Sequence, residues 1–505
     1  MNLAFGFVAV LLVTVATLAI GTWGLRVSRT TSDFFVASRS VRPHLNASAI
    51  SGEYLSGASF LGIAGLMLTF GAEMLWYPVG WTAGYLVLLV LVAAPLRRSG
   101  AYTLPDFAEA RLDSRTVRMV ASVMVVVIGW LYVMPQLQGA GVAMRLATGL
   151  PGWTGGLLVA VVVLLNVLAG GMRSITFVQA FQYWLKLFAL SLPLLFLVIV
   201  WLGDGGRSPA DPSLFVGGES GSAWADPVDF AGDHPLYSTY SLMVATFLGT
   251  MGLPHVVVRF YTNPDGKAAR QTTVAVLGLL GLFYVLPPVY AALGRLYAPD
   301  LVGTSGADGV VLELPSRMIG AVGGDLLTAL LTAGAFAAFL ATSSGLTIAV
   351  AGVISQDVMS KKLEGVTAFR ISAVVAVVVP LVLSFLARDV AVATVVGLAF
   401  AMAAATFCPL LVLGIWWRGL TDAGALAGLL VGGALTGVVV IDNLLTDREG
   451  GWIGAVLAQP AACTVPLAFA TMVVVSKLTQ HRLSAHTSRF MVRLHTPETV
   501  QLDRG

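Results

Sequence analysis

Charge is what this sequence most lacks. Asp, Glu, Lys and Arg make up 11% of its 505 residues, whereas 57% are apolar and the mean hydropathy is +0.86. Soluble domains carry about 25% charged residues, and a water-facing surface for so long a chain cannot be built from fewer than half that share. A soluble enzyme, a nucleic-acid-binding protein and a disordered scaffold are thereby excluded. Cysteine is nearly absent. Cys408 and Cys463 both lie in apolar runs, so neither a disulfide framework nor a thiolate metal site is expected. The six histidines (44, 234, 255, 481, 486 and 495) are too scattered for a metal cluster. There is no His-Glu-x-x-His, no Gly-rich loop ending in Lys-Ser/Thr and no Gly-x-Ser-x-Gly, so nothing signals an enzyme, a cofactor or an ATP site. The net charge of +3 is too small to argue for an anionic partner.

What the sequence has is apolar length. A spanning helix needs about 20 apolar residues, and about thirteen runs qualify: 3–23, 45–70, 74–96, 119–145, 153–171, 175–202, 237–257, 271–294, 319–350, 367–387, 390–416, 422–441 and 453–476. They predict an all-α polytopic membrane protein in a lipid bilayer, because barrel strands would alternate polarity over about ten residues. The first run is followed by Arg26, Arg29, Arg39 and Arg42 and has no basic residue before it, so it reads as a retained helix rather than a secretion signal. With the N-terminus outside, 22 of the 29 Lys and Arg residues fall on the cytoplasmic side and six outside, with Lys186 inside a span. That asymmetry predicts a multi-pass protein of the cell membrane with a cytoplasmic C-terminus. Residues 1–477 read as one transmembrane domain and 478–505 as a short cytoplasmic tail. The stretch 203–236, acidic and rich in Gly, Ser and Pro, reads as an irregular external loop.

Polar groups at membrane depth are costly and mark function. Three segments carry them. Residues 46–62 place Ser48, Ser51, Gly52, Glu53, Ser56, Gly57 and Ser59 in a single span. Small residues alone signal close helix packing, but Glu53 needs a cation, a proton or water. Glycine and serine also let a helix unwind, which frees carbonyls for a hard cation and N–H groups for an anion. In Phe247–Arg259, Pro254 removes a donor and clashes with the preceding turn, so the span breaks near Gly252, with His255 just after the break. In Ala335–Gly345, Ala338 and Thr342 share a face, and of Thr342, Ser343 and Ser344 at most two can line one site at about 100° per residue. Discontinuous helices facing each other near midplane are the pointer to a substrate site in secondary transporters. A channel, or an ordinary proline kink, is the plainer alternative.

At these segments the sequence resembles the sodium:solute symporter family, and within it the cation–acetate (short monocarboxylate) branch. The residues that carry the resemblance are Ile50–Gly65, Arg98–Phe107, Gly170–Gln179, Gly249–Phe260 and Phe339–Thr347 leading to Ser355-Gln-Asp357. The resemblance implies a five-plus-five inverted-repeat core of the leucine-transporter type, with repeats at about 45–202 and 237–416, preceded by one helix and followed by two. It implies a Na⁺ site formed by the carbonyls of Ala47, Ile50 and Ala338, with hydroxyl ligands at the positions of Ala341 and Thr342. Ala341 has no hydroxyl, while Ser343 and Ser344 follow it, which leaves H⁺ as the alternative coupling ion. Sugar-carrying relatives use amides where this chain has Tyr54 and Leu253-Pro254-His255, so a hexose is not expected. The substrate implied is a small organic anion such as acetate, propionate or pyruvate. The expected site comprises Gly52, Glu53, Tyr54, Ser56, Gly57, Glu73, Gly252, Leu253, Pro254 and His255. The alternatives are a proline or other amino-acid symporter, with Glu53 as counter-charge to the ammonium group, and a non-transporting solute sensor of the same fold.

Overall fold

The computed structural model describes residues 3–25, 41–228, 234–359, 365–386, 391–445, 450–484 and 486–497. Of the basic residues used for orientation, Arg26, Arg29, Arg39, Lys361, Lys362, Arg388, Arg448 and Arg504 lie outside them. The helices in chain order are α1 (Leu3–Leu25), α2 (Pro43–Tyr54), α3 (Ile63–Phe70), α4 (Trp76–Leu91), α5 (Ala93–Ser99), α6 (Leu104–Leu112), α7 (Arg115–Thr148) and α8 (Trp153–Gly203). They continue as α9 (Pro235–Gly252), α10 (Pro254–Phe260), α11 (Gly266–Tyr284), α12 (Leu286–Tyr297), α13 (Val310–Met318) and α14 (Ala321–Val353). The last are α15 (Gly365–Leu386), α16 (Val392–Trp416), α17 (Asp422–Leu445), α18 (Gly451–Ala458), α19 (Ala461–Leu478) and α20 (Thr487–His495).

Among the described residues ten helices are long and apolar enough to cross a membrane, and two bent pairs raise that to twelve. Residues 153–168 form a shorter apolar helix. It is continuous with the following span in hydrogen bonding, but the chain turns at Gly171 (φ 57, ψ −161), which separates the runs expected at 153–171 and 175–202. A left-handed residue inside an apolar run requires glycine at little steric cost.

The two bent pairs are the segments expected to break. Pro43 starts α2 at a position where its missing N–H costs nothing. The helix ends where Leu55 leaves helical geometry (φ −72, ψ 85). After a gap at Ser56 and a π-turn at Ala58–Gly62 the chain resumes as α3, bent by 69°. In the second pair Leu253 is extended (φ −73, ψ 120), Pro254 opens α10, and the bend is 44°. From one broken span to the next the chain makes five crossings, the second of each set being α4 and α11. Against the breaks stand α14, whose apolar window is entirely buried, and α16, 94% buried. A helix apolar on every side belongs inside the bundle.

The described part of the stretch 203–236 is more ordered than its composition suggests. It holds a two-strand hairpin, β1 (Phe215–Val216) and β2 (Glu219–Ser220), and is pinned by the Trp224 indole N–H on the Met67 carbonyl at 2.9 Å. The described part of the tail is packed as well. Phe490, Met491 and Leu494 of α20 are buried against α5 and α6, and the Arg493 guanidinium donates to the Arg98 carbonyl at 3.2 Å. Apolar positions spaced by one and then three residues put Phe490, Met491 and Leu494 on one face and make that helix amphipathic, a pattern the reading as a plain tail overlooked. Nearby, Arg118 of α7 joins Asp106 (2.8 Å) and Glu109 of α6 to Asp357 (2.6 Å), just beyond α14.

Candidate functional site

Breaking α2 frees main-chain carbonyls, and in a membrane each must find a donor. The Leu55 N–H turns back to Ser51 at 3.0 Å. The Glu53 carbonyl accepts the Thr342 hydroxyl at 2.6 Å. The Leu55 carbonyl accepts the ammonium of Lys186 at 2.7 Å, and Lys186 also donates to the Gly52 carbonyl. Gly52 permits this approach, since a Cβ there would stand 2.1 Å from the Gln179 carbonyl of α8. Gln179 in turn donates its amide to the Ala341 carbonyl at 2.8 Å, tying α8 to α14.

The second break supplies Arg259. Its Nε donates to the Glu53 carboxylate at 2.6 Å, one Nη to the Thr176 hydroxyl at 2.9 Å and the other to Gln179 Oε1. Arg259 and Glu53 are 1% and 2% exposed, so the pair sits in a medium where an isolated charge would be untenable. Asn46 Nδ2 adds a bond to the Arg259 carbonyl at 3.3 Å. The two broken spans therefore meet, through main chain and side chain alike. The count of basic loop residues had assigned Arg259 to a cytoplasmic segment; it is instead buried beside the break. The network joins two cations, Arg259 and Lys186, to one carboxylate, Glu53.

Around this cluster stand aromatic rings. Tyr54 meets Tyr85 edge-on with centroids 4.7 Å apart, Trp81 and Phe400 lie 5.5 Å apart, and Tyr132 meets the His255 ring at 5.2 Å. Buried polar groups are almost always hydrogen-bonded, yet here Trp81 Nε1, Tyr85 OH, Gln136 Nε2 and both His255 ring nitrogens have no partner among the described residues. A cleft of about 120 Å³, too narrow for a water molecule, lies between Ile50, Glu53, Tyr54, Tyr85, His255, Val256 and Arg259. The site is closed in this structure, with no room in the cleft for a solute.

Of the residues expected at a cation site, Ala47, Ile50, Ala338 and Ala341 are fully buried on the stretches of α2 and α14 that meet, and Thr342 touches α2 at Glu53. The Ala341 carbonyl is engaged by Gln179. Ser343 Oγ and Ser51 Oγ are buried without partners among the described residues. Ser344 is buried and turns off the Thr342 face by about 200°. Of the residues expected around a substrate, Glu53, Tyr54, Leu253 and His255 are gathered at the meeting of the breaks. The Tyr54 hydroxyl is tied to the Trp81 carbonyl at 3.1 Å and the Thr250 hydroxyl at 3.0 Å. Gly252 and Pro254 shape the second break, with Gly252 packed on the Ala403 carbonyl. Two expectations need correction. The Gly57 N–H, expected to face an anion, donates to Gln136 Oε1 at 2.9 Å, because that amide reaches the first donor beyond the gap at Ser56. Glu73 lies in a turn two helical turns before Trp81, roughly 12 Å along the axis, and is not in the cluster. Trp81, Tyr85, Tyr132, Gln136, Gln179, Lys186 and Phe400 were not singled out as site residues. Gln136, Gln179 and Lys186 carried a readable signal, polarity at membrane depth; the aromatics carried none.

With this geometry established, likeness to known proteins becomes informative. The model of the sodium:solute symporter family matches residues 34–432. The uncharacterized symporter YwcA of Bacillus subtilis (strain 168) is 33% identical over 473 residues, 90% of each chain. Among solved structures, a substrate-bound outward-open Na⁺-coupled sialic acid symporter superposes with a TM-score of 0.72 at 14% identity, over 94% of this chain and 97% of that one. MhsT in complex with L-phenylalanine gives 0.54 at 16% identity, over 86% and 99%. These likenesses show the fold, the leucine-transporter type with a five-plus-five core, and the protein is a multi-span helical membrane protein. By the extent of the family match and of its kinship to the Bacillus symporter, this chain belongs to the sodium:solute symporter family.

Proposed function

We propose that this symporter couples the entry of Na⁺ to that of a small monocarboxylate such as acetate, propionate or pyruvate, in the cell membrane, with its N-terminus outside and its C-terminus in the cytoplasm. The observation that supports the carboxylate reading is the set of unpartnered groups at the meeting of the breaks. The Trp81 indole and the Gln136 amide nitrogen can only donate, and Tyr85 and His255 each hold a donor. Donors amid apolar rings suit a carboxylate with a short apolar tail, and the two cations against one carboxylate leave the cluster attractive to an anion. An amino acid would require a carboxylate for its ammonium group, and Glu53 is already engaged by Arg259. A hexose would require several amides and hydroxyls, and the Tyr54 hydroxyl is committed to Trp81 and Thr250.

Main-chain carbonyls of Ala47, Ile50 and Ala338, with the hydroxyls of Thr342 and Ser343, offer neutral oxygens that suit a hard monovalent cation. The unpartnered Ser51 and Ser343 hydroxyls support that reading. One Na⁺ with one monocarboxylate moves no net charge, so in that ratio the Na⁺ concentration gradient does the work; each further Na⁺ carried would add about 2.3 kcal/mol per 100 mV of membrane potential. The test is uptake of labelled acetate, pyruvate and proline into proteoliposomes under separately imposed Na⁺ and H⁺ gradients. Na⁺-driven accumulation of acetate or pyruvate above equilibrium is expected; accumulation of proline instead would overturn the carboxylate reading.

A further inference from the structure

Lys186, one of the two cations of the cluster, is given no step of its own in the proposed cycle. It lies in α8, fully buried, and its ammonium reaches two carbonyls at the end of the broken helix α2, those of Gly52 and Leu55, three residues apart. The C-terminal end of a helix carries partial negative charge and unsatisfied oxygens, which is the chemistry that otherwise attracts a metal ion to an unwound segment. The ammonium is thus a tethered cation on the last turn of α2, on carbonyls two and five residues beyond the Ile50 carbonyl expected to face Na⁺. Lysine, unlike arginine, can surrender its charge in a buried position.

We propose that Lys186 is a proton-binding coupling site, and that entry of Na⁺ at the α2–α14 contact displaces the proton from its ammonium. This rests on the Na⁺ reading given above. As the ion approaches, two positive charges share one short run of carbonyls with Glu53, whose own charge is matched by Arg259. The repulsion is relieved when the ammonium gives its proton to water on the open side, leaving a neutral amine and one hydronium ion. Na⁺ and H⁺ are thereby exchanged at the break, and return of the proton resets the closed arrangement.

The surroundings of Lys186 leave few other candidates for such a proton. The described part of α1 holds no titratable residue, and the only one on α14 is Asp325, at its start. From α12, Tyr290 donates to the Leu190 carbonyl at 2.8 Å. α7, α13 and α15 bring Tyr132, Arg118, Arg145, Glu313, Arg317 and Arg370, none of them bonded to Lys186. From α2 there is Glu53, held by Arg259 at 2.6 Å, with Tyr54 beside it.

The experiment uses the purified full-length protein in weakly buffered detergent solution. NaCl or choline chloride is added, the proton released is read with a pH dye, and ²²Na⁺ binding is measured in parallel from pH 6 to 9. The wild type is expected to release up to one proton per Na⁺ bound, and its Na⁺ affinity to rise up to about tenfold per pH unit within the titration window of Lys186. Lys186→Met and Lys186→Arg are expected to bind Na⁺ without proton release. Should the methionine variant fail to fold, the arginine variant, which keeps the cap, carries the test. Equal release from wild type and Lys186→Arg, or Na⁺ binding by wild type with no release, overturns the proposal while leaving the Na⁺ reading intact. Absence of ²²Na⁺ binding overturns both.

Discussion

The pair Glu53–Arg259 offers the sharpest measurement of whether the two breaks hold each other. Glu53→Gln leaves Arg259 buried with no carboxylate, and Arg259→Met leaves Glu53 so. Removing one member of a buried ion pair costs about 3–5 kcal/mol, whereas removing both charges is often close to neutral. Here the double variant also loses the Arg259 bonds to Thr176 and Gln179, each a charged hydrogen bond replaced by a less satisfied neutral group, so a cost of about 1–2 kcal/mol is expected. With an unfolding entropy of about 2.1 cal/mol/K per residue and 505 residues, 1 kcal/mol shifts the midpoint by about 1 °C. Each single variant should therefore melt about 3–5 °C below wild type and the double variant only about 1–2 °C below it. Intrinsic tryptophan fluorescence of the detergent-solubilised protein during a thermal ramp reads all four members of the cycle. Additive losses, with the double variant about 6–10 °C below wild type, would refute the claim that these charges are matched to one another across the breaks.

Gly345→Ala places a Cβ 1.9 Å from the Glu53 carboxylate, so it should abolish uptake while the protein still reaches the membrane; normal uptake would mean that the carboxylate need not stay where it is. Thr342→Ala removes the hydroxyl on the Glu53 carbonyl and should raise the Na⁺ concentration for half-maximal uptake severalfold, and an unchanged Na⁺ requirement would take Thr342 out of the ion site. Trp81→Phe deletes an unpartnered buried donor and should raise the KM for the carboxylate about tenfold, one hydrogen bond to a charged group being worth about 1.5–3 kcal/mol; an equal loss with a neutral solute would show a packing effect instead. Asp308, in a short helical turn outside the spans, has its carboxyl pushed up to about 6 by burial. The folded protein binds that proton more tightly than the unfolded chain does, so stability falls as pH rises from about 4 to about 6, by about 1–2 kcal/mol after allowing for partial exposure. Asp308→Asn should flatten that segment of the melting curve against pH, and an unaltered profile would exclude Asp308 as its source.

The breaks were legible because their causes are local. Pro254 cannot donate to the turn before it, and Gly52, Ser56 and Gly57 give a helix little reason to continue. Glu53 was legible because a carboxylate within an apolar run has few inexpensive explanations. Its partner was not. Arg259 lies 206 residues away, at the end of a span, where positive charge is ordinary, and its sequence neighbours do not distinguish a loop residue from a buried one. Gln136 and Gln179 sit in long apolar helices that also carry Gln138 and Gln182, so the sequence does not say which amide turns toward the break. The aromatic ring of Tyr85, Trp81 and Phe400 draws on two helices whose apolar residues look alike on every face, so only the bundle reveals which of them turn inward. The tail helix failed for another reason: its amphipathic face becomes informative only when α5 and α6 are present to receive it.

A broken helix in a membrane imposes a requirement that explains why these residues occur together. Unwinding α2 at Leu55 leaves oxygens that lipid cannot satisfy, and three of them are met from other helices: Gly52 and Leu55 by Lys186 of α8, Glu53 by Thr342 of α14. The donors belong to spans that follow α2 by more than a hundred residues. Any movement of α2 relative to α8 and α14 must therefore break these bonds together, and it becomes affordable only when something else satisfies the oxygens. A metal ion with its several ligands does so, and water does so once the site opens, whereas an apolar solute does neither. The closed site is held by polar bonds that a cation is suited to replace, so on the reading proposed above ion entry and helix movement would be one event rather than two. A variant carrying Lys186→Met and Thr342→Val would remove both donors, and its residues 43–62 should exchange amide hydrogens faster than those of wild type in the absence of Na⁺. Equal protection in the two proteins would show that the bonds do not hold the break closed.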